Sequence, residues 1–315
     1  MSWIIVALLA YFLLAIANIG DKFLVDNILK SSKAYAFVVC TLGLIVFVVA
    51  PWLLEWPGFP LFTLNLINGA IFTIALWLLY EALRRDEASR VLVLIGGATP
   101  IFSLIFSLLL FKEQFSLYQF LGLFVILLGI ILIALLPQQR SLFKRVMNFL
   151  KLNNEKKLPA LKIALLSSLF YSLYFISTKI AYSYQSFSSS FLWTRLGAFL
   201  FSLLFLIKLN DRREIIKMFK NSEPNKNKFL VFLNQIIGSS GFILQNYAIF
   251  LGSVVLVNAL QGFQYALILI FSAILSLSMP KLLKENFSKR IIIQKSMSVI
   301  LIALGIYFLT ISGNL

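Results

Sequence analysis

Apolar residues fill this 315-residue chain in long runs, broken by short polar or basic intervals, and run length sets the first expectation. Runs near 3–20, 34–54, 61–83, 89–111 and 117–136 are followed by a second set near 160–183, 188–208, 229–251, 254–279 and 291–312. Each is about twenty residues long, enough for a helix to cross roughly 30 Å of hydrocarbon. Helices are expected rather than strands, because no alternating barrel pattern occurs and a helix pairs its own backbone groups where water is absent. The pattern predicts an all-α integral membrane protein with ten transmembrane helices. Composition agrees: 60% of residues are hydrophobic and 13% charged, with mean hydropathy +0.93, whereas a soluble domain carries about a quarter charged residues.

The two sets of runs share a motif. Lys112-Glu113-Gln114-Phe115-Ser116 and Lys284-Glu285-Asn286-Phe287-Ser288 each lie between two apolar runs, and the run after each carries a glycine, Gly129 or Gly305. Weaker identities pair Lys22 with Lys179, Ala82 with Ala248, and Gly96 with Gly262. Recurrence at this distance points to duplication. Five runs per half is an odd number, so the second copy enters the membrane upside down. The expected organisation is a five-helix repeat at 1–138, a basic linker at 139–159 and an inverted five-helix repeat at 160–315. In secondary transporters, the interface between such repeats carries the substrate.

Charge fixes orientation rather than a partner. The net charge is +16, yet 25 of the 28 Lys and Arg fall on odd-numbered connections between runs. The positive-inside rule places those connections in the cytoplasm and both termini outside, in a multi-pass protein of the cell membrane. No basic-aromatic pattern argues for nucleic acid. The polar stretch Asn210–Lys228 reads as a loop or an amphipathic helix on the anionic leaflet. Cys40 is the one cysteine and histidine is absent, so neither a disulfide framework nor an imidazole metal site is expected, and no cofactor is implied. Ala15-Ile16-Ala17 mimics a signal-peptidase site, but no Lys or Arg precedes the first run, so a cleaved leader is not expected.

The stretch Ala98–Ile133, ATPIFSLIFSLLLFKEQFSLYQFLGLFVILLGIILI, resembles the EamA domain of the drug/metabolite transporter superfamily. Its marks are a proline entering the fourth run, a glutamate at that run's exit and small residues in the fifth. The second half is similar to a diverged copy ending in LLKENFSKRIIIQKSMSVILIALGIYFL. The resemblance implies ten helices in two inverted bundles and the movement of small organic solutes. Departures are Cys40 where relatives have an early Arg in the second span, retained as Arg195 in the seventh, and Ala266 opposite Pro100. Cytoplasmic termini are commoner among relatives, whereas the charge distribution here argues the reverse.

Charged side chains within spans are expensive and need a reason. Lys22 and Lys179, at the exits of runs one and six, either bind an anionic group or snorkel to headgroups. Arg195, well inside run seven, points to a bound anion or a helix-capping contact. Glu81, with Arg84 three residues on, is either a proton-coupling carboxylate or half of a surface ion pair. Polar and aromatic stripes at helical spacing mark Thr73, Trp77 and Tyr80 in run three, and Gln235, Ser239, Phe242 and Asn246 in run eight. Further stripes are Tyr171 and Tyr174 in run six, Asn258, Gln261 and Tyr265 in run nine, and Gly96, Thr99, Ser103 and Ser107 in run four. Such stripes face protein or water, not lipid. Pro100 predicts a kink. Glu113 and Glu285 read as caps of the helices that follow.

The expected function is secondary transport of a small organic metabolite, an amino acid or related amphipathic solute, by alternating access. The substrate cavity is expected among spans three, four, eight and nine, with one and six. One alternative is a carrier or flippase for a phosphate-bearing substrate held by Lys22, Lys179 and Arg195. The other is a non-transporting scaffold or sensor. No paired intramembrane carboxylates, thiol cluster or nucleophile motif suggests an enzyme.

Overall fold

The computed structural model describes residues 2–27, 31–85, 88–112, 114–134, 158–220, 225–278 and 289–312. Every regular element among them is helical. The helices are α1 (Trp3–Asn27), α2 (Ser32–Leu42), α3 (Ala50–Leu53), α4 (Phe59–Leu83), α5 (Ala88–Leu110), α6 (Leu117–Ala134) and α7 (Leu158–Tyr182). They continue with α8 (Phe187–Ser202), α9 (Leu209–Lys220), α10 (Asn225–Leu251), α11 (Val254–Ala259), α12 (Gln261–Ser278) and α13 (Lys289–Ser312). Each of the ten apolar runs is helical where described. Among the described residues, five segments are long and apolar enough to cross a membrane: Trp3–Gly20, Ser32–Leu53, Phe59–Leu83, Ala160–Tyr182 and Phe187–Leu206.

Three runs are not single α-helices: the second, the ninth, and the seventh, which passes into a 3-10 stretch at Leu203–Leu206. The second tightens into a 3-10 stretch at Gly43–Val49 before α3, and such a stretch inside a helix often marks a hinge. The ninth breaks at Leu260, where the Leu260 amide donates to the Val257 carbonyl at 3.1 Å and the Phe263 amide to the Leu260 carbonyl at 2.9 Å, the shorter pairing of a turn. The 209–220 segment, expected as loop or surface helix, is helical, with Asp211 paired to Lys33 at 2.6 Å and Ile215 buried.

The two halves interleave. The main pairings join helices of opposite halves: α1 packs along α10, α4 along α7 and α8, and α6 along α13. Small residues permit these approaches. A Cβ on Gly122 would lie 2.9 Å from the Gly305 carbonyl oxygen, and one on Gly305 2.8 Å from that of Gly122. Neither half is therefore a free-standing bundle. Each half's apolar faces are buried by the other.

The ends of the molecule differ. At one end, the α3–α4 connection folds onto α8: the Glu55 carbonyl accepts from Trp193 Nε1 and Ser189 Oγ, both at 2.9 Å. Trp56 and Phe62 pack edge-on against Trp193, with ring centroids 5.9 and 5.0 Å away. At the same end, Lys179 Nζ donates to the carbonyls of Ile249, Phe250 and Gly252 at 2.8–3.0 Å, tying α7 to the end of α10. The opposite end carries Lys33, Arg84, Arg85 and Arg212.

Candidate functional site

Between α1 and α10 on one side, and α2, α4, α7 and α8 on the other, lies a cavity of about 340 Å³. It occupies the half of the bundle nearer the basic end. Ile45 on one rim, and Phe232 and Ile236 on the other, are about half exposed, so the cavity opens between α2 and α10. Across the molecule the related crossing of α4 with α8 is shut. A Cβ on Gly69 would overlap backbone atoms of Thr194, Gly197 and Ala198, and one on Gly197 would lie 2.6 Å from Leu66 Cα. Thr73 shares its hydroxyl between the carbonyls of Gly69 at 2.9 Å and Ala198 at 3.1 Å, while Cys40 Sγ sits 3.5 Å from it.

Arg195 lines the cavity and is 6% exposed. Its guanidinium carbon stands 4.5 Å from the Phe72 ring centre, 4.7 Å from Phe191 and 4.6 Å from Phe242. Cation–π contacts of this kind are each worth about 0.5–2 kcal/mol. They soften the cost of burying the charge but accept none of its N–H groups in ordinary hydrogen bonds. Nε and Nη2 have no hydrogen-bond partner, and no carboxylate among the described residues pairs with the side chain. Gly43 sits against it, with room for a Cβ 3.5 Å from Arg195 Cδ.

Residues 1–135 match the EamA-like transporter family. The match covers the first part of the chain alone. A crystal structure described only as that of a protein aligns with a TM-score of 0.65 at 13% identity, covering 98% of this chain and 96% of that one. That likeness concerns the fold. No curated protein matches the sequence. The matched region contributes α1, α2 and α4 to the cavity, and the rest of the chain contributes α7, α8 and α10.

Of the residues singled out in the sequence, the structure brings Tyr80, Arg195 and Gln235 to this cavity, with Tyr171, Ser239 and Phe242 from the polar and aromatic stripes. The others lie elsewhere. Trp77 packs on Phe205, with Lys33 Nζ 5.4 Å from its ring centre. Lys179 is engaged with the three carbonyls. Asn246 accepts from Tyr174 at 2.9 Å and Tyr182 at 3.3 Å in the sealed half. Asn258 donates to Ser103, which lies 3.1 Å from Ser172, and Tyr265 donates to the Leu92 carbonyl at 2.6 Å. Gln261 is half-buried on α12, outside the cavity.

The Tyr265 ring fills the space above Gly96, so the polar stripes of α5 and of α11 and α12 meet each other. Spans four and nine, expected among the walls of a substrate cavity, do not line this one, and α2 and α8 do. Pro100 is buried within α5. Glu81 accepts from Ser32 at 2.6 Å, from Arg85 at 2.6 and 2.8 Å and from Arg84 at 3.3 Å, linking the start of α2 to the end of α4. Glu113, Glu285 and the side chain of Lys22 lie outside the described residues. The sequence reading missed Phe72 and Phe191. The signal for them was the isolated arginine in an apolar run, which calls for aromatic neighbours.

Proposed function

We propose that this EamA-domain protein is a secondary carrier that moves a small organic metabolite by alternating access, with the cavity at Arg195 as its substrate site. The observation that carries the reading is the asymmetry of the two crossings: α4 on α8 is shut, and α2 faces α10 across a gap. A carrier in one of its two end states has this form, and a rigid scaffold has no use for a cavity around a buried cation.

The repeat relation that pairs Ala82 with Ala248 sets Ser239 opposite Thr73 and Gln235 opposite Gly69, while the one that pairs Cys40 with Arg195 sets Leu42 opposite Gly197. The walls of the gap are then the counterparts of the sealed seam. Rocking the α1–α10 pair toward α2 closes the gap, and parting α8 from α4 opens the other end. With the basic end in the cytoplasm, the present form faces inward and both termini lie outside the cell membrane.

Proton coupling through Glu81 is the second part of the proposal. Protonation would release Ser32 and both arginines, and so loosen the link between α2 and α4 at the basic end. Uptake into proteoliposomes tests both parts. Saturable uptake is expected, driven by a pH gradient in the native chain and not in Glu81→Gln. Equal uptake in the two removes Glu81 from the mechanism. Absence of saturable uptake for every solute that the protein binds rejects the carrier.

A further inference from the structure

We infer that the cavity takes an amphipathic monoanion: an organic carboxylate with an apolar, preferably aromatic, body and no positive charge of its own. The inference rests on the carrier reading for its biological meaning, but on Arg195 and its surroundings for its chemistry.

Three observations define the ligand. First, the Arg195 guanidinium is nine-tenths buried, lines the cavity, and leaves Nε and Nη2 without acceptors. The cost of burying an ion unpaired is several kcal/mol, and it falls when an opposite charge supplies both Coulomb attraction and hydrogen bonds. Nε and one Nη of a guanidinium form the fork that a carboxylate accepts with two parallel bonds.

Second, Arg195 is the one charged group among the described residues that line the cavity. Lys179, the other intramembrane cation with a described position, is spent on three carbonyls. A phosphate dianion would find one cation where it needs two. An ammonium group would find no carboxylate, and would stand in the same cavity as a guanidinium. Zwitterionic amino acids and hydrophobic cations are disfavoured for that reason.

Third, the rest of the wall is apolar and aromatic, with Leu14, Val39, Leu76 and Ile243 facing the space beside Phe72 and Tyr80. The polar strip of Gln235, Ser239 and Ser240 on α10 offers neutral hydrogen bonds to substituents of the body. A volume near 340 Å³ suits a small molecule, at the lower end of ordinary ligand sites.

The test uses the full chain in nanodiscs of uncharged lipid and a set of probes that share one body. 3-Phenylpropionate, its amide, 3-phenylpropylamine, phenylalanine and phenyl phosphate are titrated by calorimetry. The carboxylate is expected to bind at least about tenfold more tightly than the amide, as the loss of a charge-assisted pair requires. The amine and phenylalanine are expected to be weaker still. Arg195→Gln should erase the difference between carboxylate and amide, while Arg195→Lys should restore part of it.

Amine or phenylalanine binding as tight as the carboxylate overturns the inference, as does tighter binding of phenyl phosphate. Carboxylate binding that survives in Arg195→Gln, or no binding of any probe to folded protein, also overturns it. Should Arg195→Gln fail to fold, the probe series on the native chain decides alone. The two readings fail separately. Carboxylate that binds but is never taken up leaves the site and removes the carrier. Saturable uptake of another solute, unchanged by Arg195→Gln, leaves the carrier and removes the site.

Discussion

The crossing of α4 with α8 is a seam, whereas α2 and α10 face each other across a gap. At the seam, Gly69 and Gly197 bring backbones into contact and Thr73 bridges to the Ala198 carbonyl. In the gap, the residues that the proposed repeat relation sets in those places are Gln235, Leu42 and Ser239, and all three face the cavity. Glycine against glycine closes dry and tight. A glutamine where the other crossing has glycine cannot close in the same way, so this crossing keeps polar groups and space for a guest. On the proposed function, the two crossings divide the labour: one locks, the other binds.

Substitutions at the seam should break the comparison most strongly. Gly69→Leu or Gly197→Leu forces two backbones apart and is expected to cost about 3 kcal/mol, read as a lower thermal unfolding temperature in detergent. Gly43→Ala, on the gap side, has room for its methyl group and is expected to shift stability by less than about 0.5 kcal/mol. Similar losses at both glycines would mean that the crossings do not differ as described.

Lys179→Met removes three charge-assisted bonds at the sealed end. Its cost is expected at about 1.5–3 kcal/mol in the same unfolding measurement, together with a longer distance between spin labels placed on α7 and α10 at that end. A cost without any change in distance would make Lys179 a cap and not a latch.

Gln235→Gly recreates the seam's residue in the gap. Labels at Ile45 and Ile236 should then report a closed population enriched about fivefold without ligand, a bias of roughly 1 kcal/mol. An unaltered distribution would show that Gln235 does not hold the gap open. The smallest effect belongs to the Lys33–Asp211 pair, whose side chains are each 23% exposed. Lys33→Ala should cost about 0.2–1 kcal/mol, and less at high salt.

The helices were legible in the sequence because membrane spans declare themselves through length and hydropathy. Arg195 was legible too, since a charge so deep in an apolar run has few explanations. Which helices wall the cavity was not. In a bundle whose halves interleave, a polar stripe on one helix satisfies itself against a stripe on its neighbour, as Asn258 does with Ser103 and Tyr265 with Leu92. Those contacts join residues more than 150 positions apart, and periodicity within a single helix does not reveal the partner. The wall made by α2 and the 3-10 stretch after it, by contrast, is built from Val39, Leu42, Gly43 and Val46, which carry no polar signal at all.

Cys40 gives this architecture a clock. It is the chain's one sulfhydryl, 1% exposed, held beside Thr73 where α2, α4 and α8 meet. A maleimide reaches it only when that junction parts, and then marks the molecule permanently. In unmodified membranes, the rate at which the mark accumulates counts openings of the junction, and a ligand that holds the molecule in one form slows the count or quickens it.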